Sequence, residues 1–309
     1  MATLLITHPA CLDHLTPLGH PERPDRLRAI ERALEAEKFQ SLARVEAPAA
    51  PLEVIALCHP MDYVTQIRDA TPREGMVRLD ADTSMSPGSF EAALRAVGGA
   101  MLAVDEVMTG KAANGFVATR PPGHHAETAR PMGFCLFDNA AIAARYAQDR
   151  HGISRAAIVD FDVHHGNGSQ EIFWADKTVM YCSTHQMPLF PGTGALRETG
   201  DYNTVVNAPL RPGDGGEAFR AAFESRILPR LSDFQPELVV ISAGFDAHMR
   251  DPLANLNLIE ADFVWATQKI MDVADRHAGG RVVSLLEGGY DLEALANSAA
   301  AHVTALMHG

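Results

Sequence analysis

An α/β fold built on a mainly parallel sheet is the class this sequence predicts, on three observations. Short apolar runs of the kind that form buried strands alternate with longer stretches of helical periodicity. No Pro/Gly/Ser linker or low-complexity tract interrupts that alternation, and four of the apolar runs end in His, Asp, Asn or Tyr. Alternating strands and helices imply a parallel sheet covered by helices on both faces.

Taken in order, Thr3 to Thr7 reads as the first strand. Leu27, Ile30 and Leu34 recur at helical spacing and place a helix over about Arg23 to Lys38. A long helix follows over Ser89 to Met108, with Ser89 as its N-cap and Gly110 just past its end. Strands near Phe116, Ile158, Met180, Val239 and Val283 then alternate with helices over Asn139 to Gln148, Gly216 to Leu231, Glu260 to Arg276 and Leu292 to Met307.

The length of 309 residues suits one domain over residues 1–309, able to bury roughly three quarters of its unfolded surface. No internal repeat is visible. The apolar stretch at Met1 to His8 is too short for a signal peptide, and no run approaches the ~20 residues of a membrane helix, so a soluble cytoplasmic protein with no membrane partner is expected. Cys11, Cys58, Cys135 and Cys182 are scattered, as in a reducing compartment. The formal charge of −13 argues against nucleic acid as a partner and is compatible with cationic substrates such as lysine side chains or polyamines. Oligomeric state is left open.

The richest segment is Ala157 to Gly168, AIVDFDVHHGNG, in which a buried-strand pattern carries two acids and two histidines. Buried strands rarely bear such a load without a metal. Strand alternation puts Asp160, Asp162 and His164 on one face, with Phe161 and Val163 packing on the other. Asp162 and His164 form an O,N pair suited to Zn²⁺ and acceptable to Fe²⁺, Co²⁺ or Mn²⁺. Asp246, ending the run LVVISAGFD, is the candidate third ligand. Two further runs lead into His124-His125 and into Glu287-Gly288-Gly289-Tyr290. Each piece has an ordinary reading, as a satisfied core histidine pair, a helix N-cap acid or a turn with a packed ring. Ligands of open parallel sheets bind outside the carboxyl ends of the strands, and four such ends converging there is a stronger signal than any one motif.

These residues carry a resemblance to a family. RPPGHHAETARPMGFCLFDN, VDFDVHHGNG, FPGTG, SAGFDAHMRDPL and LEGGYD stand in the order found in the zinc-dependent histone deacetylase superfamily, which includes bacterial histone deacetylase-like and acetylpolyamine amidohydrolases. With the early HPERPDRL they span nearly the whole chain. The resemblance implies the arginase-deacetylase fold, an eight-stranded, mainly parallel sheet, which is more strands than the local reading finds. It implies hydrolysis of an acetylated amine, with zinc held by Asp162, His164 and Asp246. His125 would be the general base, His124 its electrostatic partner and Tyr290 the donor to the oxyanion. Asp160 would orient His124, and Asn167 would orient His125. By the same resemblance a structural potassium ion sits near Asp160, Asp162, His164, Ser183 and Thr184.

For the substrate, the resemblance places Phe134 and Phe190 as two rings flanking an acyl-lysine chain. Gly133 and Leu253 line the same tunnel, and Asp82 is at its rim. The apolar loop residues Met187, Leu189 and Phe190 could instead fold onto the core. Arg23 matches an arginine lining a route for released acetate, while its plain reading is a solvated first helical turn. His165, His185 and His248 match no liganding position. Leu253, where a polyamine-selective branch carries Glu, favours acyl-lysine, with acetylpolyamine as the runner-up substrate. A dinuclear manganese ureohydrolase would need extra bridging carboxylates, and a silent acetyl-lysine-binding module would need none of the catalytic groups.

Overall fold

The structure, a computed structural model, describes residues 1–308. Eight strands form one parallel sheet. They are β1 (Thr3–Thr7), β2 (Ala43–Glu46), β5 (Asn114–Val117), β6 (Ala156–Asp160), β7 (Val179–Gln186), β8 (Val205–Leu210), β9 (Leu238–Ala243) and β10 (Val282–Leu286). Their spatial order is β2-β1-β5-β10-β9-β6-β7-β8. Two-residue strands β3 (Val77–Arg78) and β4 (Ser84–Met85) make a separate antiparallel hairpin.

The central strands alternate between two cores, as strands covered on both faces must. Leu5, Val159, Val239 and Ile241 enter one core with helices α1 (Asp25–Ala33), α7 (Gly216–Ala222), α8 (Leu228–Phe234), α9 (Glu260–His277) and α10 (Leu292–His308). Leu4, Ile6, Ile158 and Val240 enter the other with α4 (Ser89–Met108) and α5 (Asn139–His151). Shorter helices α2 (Leu52–Ile55) and α3 (Met61–Asp69) pack a third cluster outside α4, and α6 (Asn167–Ile172) follows the loop after β6.

Several boundaries differ from the sequence reading, each for a local reason. Strands β2 and β8 were not expected. They are the two edges of the sheet, β2 carrying Arg44 and Glu46 and β8 carrying Pro209, residue types that blunt edges and dilute a strand pattern. The first helix is shorter than predicted, opening after Pro24 and followed by a 3₁₀ turn at Glu37–Phe39 that buries Phe39. Ser89 is not an N-cap. Gly88 holds that place, and the Ser89 Oγ accepts from the Ser86 N–H at 2.7 Å. The predicted helix over Gly216 to Leu231 is interrupted by a π segment at Phe223–Ile227, just before Pro229, which has no N–H to donate into the ladder.

Strands β5, β10, β9 and β6 are consecutive in the sheet. The segments leaving their carboxyl ends therefore meet over one stretch of sheet edge, although in sequence they are up to 170 residues apart.

Candidate active site

Strand β6 ends at Asp160, so Asp162 and His164 stand in the loop beyond it rather than on the strand. The alternation nonetheless persists, because Phe161 and Val163 are buried in the α9/α10-side core and keep the intervening polar side chains turned away from it. The loop is pinned by its own acids. Asp160 Oδ1 accepts from the Asp162 N–H at 3.0 Å, and Asp162 Oδ1 accepts from the His164 N–H at 2.8 Å. Asp246, after β9, accepts from the Val163 N–H at 2.8 Å, and Asp162 Oδ2 accepts from the Gly288 N–H, after β10, at 2.8 Å.

One ligand atom from each of Asp162, His164 and Asp246 lies within 4.8 Å of the others, in a buried group that only His164 opens to the cavity above. His164 Nδ1 is 3.2 Å from Asp162 and 3.0 Å from Asp246. Burial would hold this imidazole neutral, but hydrogen bonding to the two carboxylates lifts it to about 10. Burial and the neighbouring Asp162 charge raise Asp246 to about 7. No lysine or arginine bridges either acid among the described residues. Two buried carboxylates with one imidazole form a donor set that a divalent cation would neutralise, so the residues present fit a metal.

The histidine pair comes from the loop after β5. Glu287, the last apolar run's terminal acid, accepts from the Gly123 and His124 backbone N–H groups at 2.7 and 3.2 Å and fixes that loop from the end of the neighbouring strand. The two rings lie 4.1 Å apart and differ in their partners. His124 Nδ1 meets Asp160 at 2.9 Å. Burial opposes its charge, but Asp160, Asp162 and Glu287 together hold it well above the ordinary imidazole value. His125 Nδ1 meets Asn167 Oδ1 at 2.9 Å, and Asn167 is oriented by donating its amide to Glu127 at 2.8 Å. Burial and the charges of His124 and His164 push His125 well below its usual value. His125 thus carries its proton on Nδ1 and leaves Nε2 as an acceptor.

Above these groups is a cavity of about 230 Å³ lined by Asp82, His125, Gly133, Phe134, His164, Leu189, Phe190, Leu253 and Tyr290. The Phe134 ring lies 5.9 Å from Tyr290, and the Phe190 ring 5.1 Å from His125. Gly133 turns at φ +56, and a Cβ there would come within 2.3 Å of the His125 ring, so only glycine lets the wall approach that ring so closely. Asp82 Oδ1 accepts from the Gly133 N–H at 3.0 Å and ties the β3–β4 hairpin to this wall. In the loop after β7, Leu189 lines the cavity and also packs on the core, while Phe190 lines the cavity and remains 41% exposed, so both readings of that loop hold at Leu189.

The structure corrects one site expectation. Arg23 precedes α1, is 43% exposed and pairs with the exposed Asp25 at 3.4 Å, so it lines no buried route. Arg26, on the inward face of α1 with Leu27 and Ile30, is the buried arginine. It lies 4.9 Å from the Tyr290 ring centroid and donates to the Gly289 carbonyl at 2.6 Å. Below it, Glu22 receives Arg26 and Arg120 in a buried ion cluster. Ser183 is on β7 and its Oγ contacts His185 Nδ1 at 2.8 Å, while the Thr184 Oγ is buried with no partner. His165 faces Thr193 and Gln170, and His185 faces the Gly194 carbonyl, outside the ligand group as expected.

Sequence reasoning missed Glu287, Arg26, Tyr181 and Asp251. Tyr181 donates to Asp160 at 3.0 Å, and Asp251 receives the Tyr290 backbone N–H at 2.7 Å. Only Glu287 left a usable trace, as a carboxylate directly after a buried strand.

Residues 20–306 match the histone deacetylase domain. The chain is 39% identical over 277 residues to the histone deacetylase-like amidohydrolase of Pseudomonas aeruginosa, covering 88% of this chain and 73% of that one. It is 39% identical over 326 residues to the chloroplastic histone deacetylase 14 of Arabidopsis thaliana, covering 99% and 77%. A probable deacetylase of Archaeoglobus fulgidus is 38% identical over 299 residues, covering 95% and 82%. Among solved structures, the HD domain of HDA15 superposes with a TM-score of 0.94 at 36% identity, covering 99% of this chain and 88% of that one.

Proposed function

The chain belongs to the histone deacetylase domain family, and from that premise we propose that it is a zinc-dependent amidohydrolase removing acetyl groups from acylated lysine side chains. The observation that carries the reading is the placement of three buried metal-suited ligands, an acceptor histidine and a tyrosine around one narrow, largely apolar cavity. Asp162, His164 and Asp246 would hold the zinc. The chemistry it supplies when bound is polarisation of the amide carbonyl and acidification of a water towards a pKa of ~7.

Phe134, Phe190, Leu189 and Leu253 enclose the alkyl chain, worth ~25 cal/mol per Å² of apolar surface removed from water. His125 takes the water's proton at Nε2, since Nδ1 is committed to Asn167, and passes it to the departing amine. Charged His124, held by Asp160, lowers the cost of negative charge developing at the carbonyl. Tyr290 donates its O–H to that oxygen from the opposite wall. The buried, unpartnered Thr184 Oγ, one residue along β7 from the Ser183 that pairs with Asp160, supports a structural potassium ion held by Asp160, Asp162, His164, Ser183 and Thr184.

Acyl-lysine is favoured over an acetylpolyamine because the cavity wall carries the apolar Leu253 and a single acid, Asp82, which is engaged with Gly133 and Thr83. The acidic surface, at −13, is the observation that favours the polyamine. The test is kcat/KM of zinc-loaded protein on an acetyl-lysine peptide against N-acetylputrescine and acetylspermidine, with Tyr290→Phe alongside. We expect the peptide to be preferred and Tyr290→Phe to cost about 10²- to 10³-fold. Preference for the polyamines would reassign the substrate, and turnover of neither would sink the reading.

A further inference from the structure

Asp251 is 93% buried at the end of the segment that begins with Asp246, and it belongs to none of the groups assigned so far. Its two oxygens face two different stretches of chain. Oδ1 accepts from the Leu253 N–H at 3.0 Å, in the cavity wall. Oδ2 accepts from the Tyr290 N–H at 2.7 Å and the Asp291 N–H at 3.4 Å, on the loop between β10 and α10. We propose that Asp251 is a positioning residue that sets the catalytic hydroxyl of Tyr290 and the Leu253 wall at a fixed separation. This rests on the acyl-lysine reading above.

Three features carry the proposal. First, the Tyr290 loop needs a restraint, because Gly288 and Gly289 precede it and Gly289 turns at φ +121. Arg26 restrains the loop from below at the Gly289 carbonyl, and Asp251 restrains it from the side at Tyr290's own N–H. Second, all partners of Asp251 are backbone N–H groups, and no lysine or arginine bridges it among the described residues. Burying a carboxylate without a cation is costly, and an amide would be cheaper to bury but offers a single acceptor oxygen. Only a carboxylate can serve both stretches at once. Third, the preceding residue makes the same connection at the surface, where Arg250 bridges Asp291 at 3.3 Å and Glu293 at 2.9 Å. Two consecutive side chains thus fasten the substrate wall to the loop that bears the donor.

The experiment is a double-mutant cycle on zinc-loaded protein with the acetyl-lysine peptide. Asp251→Asn and Asp251→Ala are measured alone and combined with Tyr290→Phe, with zinc content and Tm recorded for each. Asp251→Asn should lower kcat about 10- to 100-fold, as misplacing a catalytic group does. It should raise KM a few-fold and cost less than about 3-fold once Tyr290 is already Phe, because its effect runs through the same hydroxyl. Independent, multiplying losses would overturn the proposal.

A second readout needs no turnover. In fluorotyrosine-labelled protein, which has five tyrosines, the ¹⁹F signal missing from Tyr290→Phe is that of Tyr290. It should shift or broaden in Asp251→Asn while the other four stay in place. An unmoved Tyr290 signal overturns the positioning role even if no acetyl-amide is hydrolysed, an outcome that would by itself sink only the acyl-lysine reading.

Discussion

Two buried histidines in this molecule have opposite fates. His302 on α10 is wholly enclosed by the rings of Phe116, Phe161 and Phe245, with centroids 5.5 to 5.9 Å away. Its nitrogens meet the Thr267 hydroxyl at 2.6 Å and the Ser284 hydroxyl at 2.8 Å. Burial lowers it to about 3. His164 is nearly as enclosed, but two carboxylates raise it to about 10. Burial is common to both, and the charge of the partners separates them. A histidine satisfied by hydroxyls is finished as a structural element, whereas one wedged between two acids marks a place built for a cation.

The largest expected effect separates the two by metal. Zinc should raise the Tm of the wild-type protein by a margin that grows with its concentration. His164→Ala should abolish both that shift and the amidase activity, and chelation of the wild type should do the same reversibly. A zinc-dependent shift surviving in His164→Ala would break the comparison. His302→Leu, by contrast, should keep the zinc shift and the kcat of the folded protein, while losing about 1–3 kcal/mol of stability in urea, because the buried Ser284 hydroxyl loses its partner whereas Thr267 still donates to the Phe263 carbonyl.

The smallest effect is in pH. A depressed folded pKa means the unfolded chain binds the extra proton, so the stability tied to neutral His302 is full above pH ~6.5 and fades as pH falls towards about 3. Between pH 7 and pH 5 this contributes at most about 2 kcal/mol. The urea midpoint of the wild type should therefore fall more over that interval than that of His302→Leu. Equal falls would mean that His302 does not titrate as its surroundings dictate.

What could be read from the sequence followed the same division. Asp162, His164 and Asp246 were legible because acids and histidines at the ends of apolar strands violate the expected pattern, and the violation needs a reason. Glu287 obeys the same rule, but its partners are the backbone N–H groups of Gly123 and His124, which no sequence displays. Asp251 was hidden in the same way. Arg26 looked like one charge among several at a helix start. Its burial depends on a carbonyl 263 residues away, a contact that only the folded sheet creates. Apolar runs predicted the core strands and failed at β2, which is mostly exposed, and at β8, whose buried run is broken by Asn207 and Pro209.

The sheet order also bears on how the protein is made. Strand β10, the latest of the eight in the chain, lies between β5 and β9. Until residues 282–286 are synthesised, the strand leading to His125 and the strand leading to Asp246 share no neighbour, and each half-sheet keeps an unpaired inner edge. Insertion of that one strand closes both edges and carries Tyr290 to His125 and His164 around the one cavity. The fold thus has a built-in check on completeness, because a chain cut short before its last strand has neither a closed sheet nor the assembled group of His125, Asp246 and Tyr290.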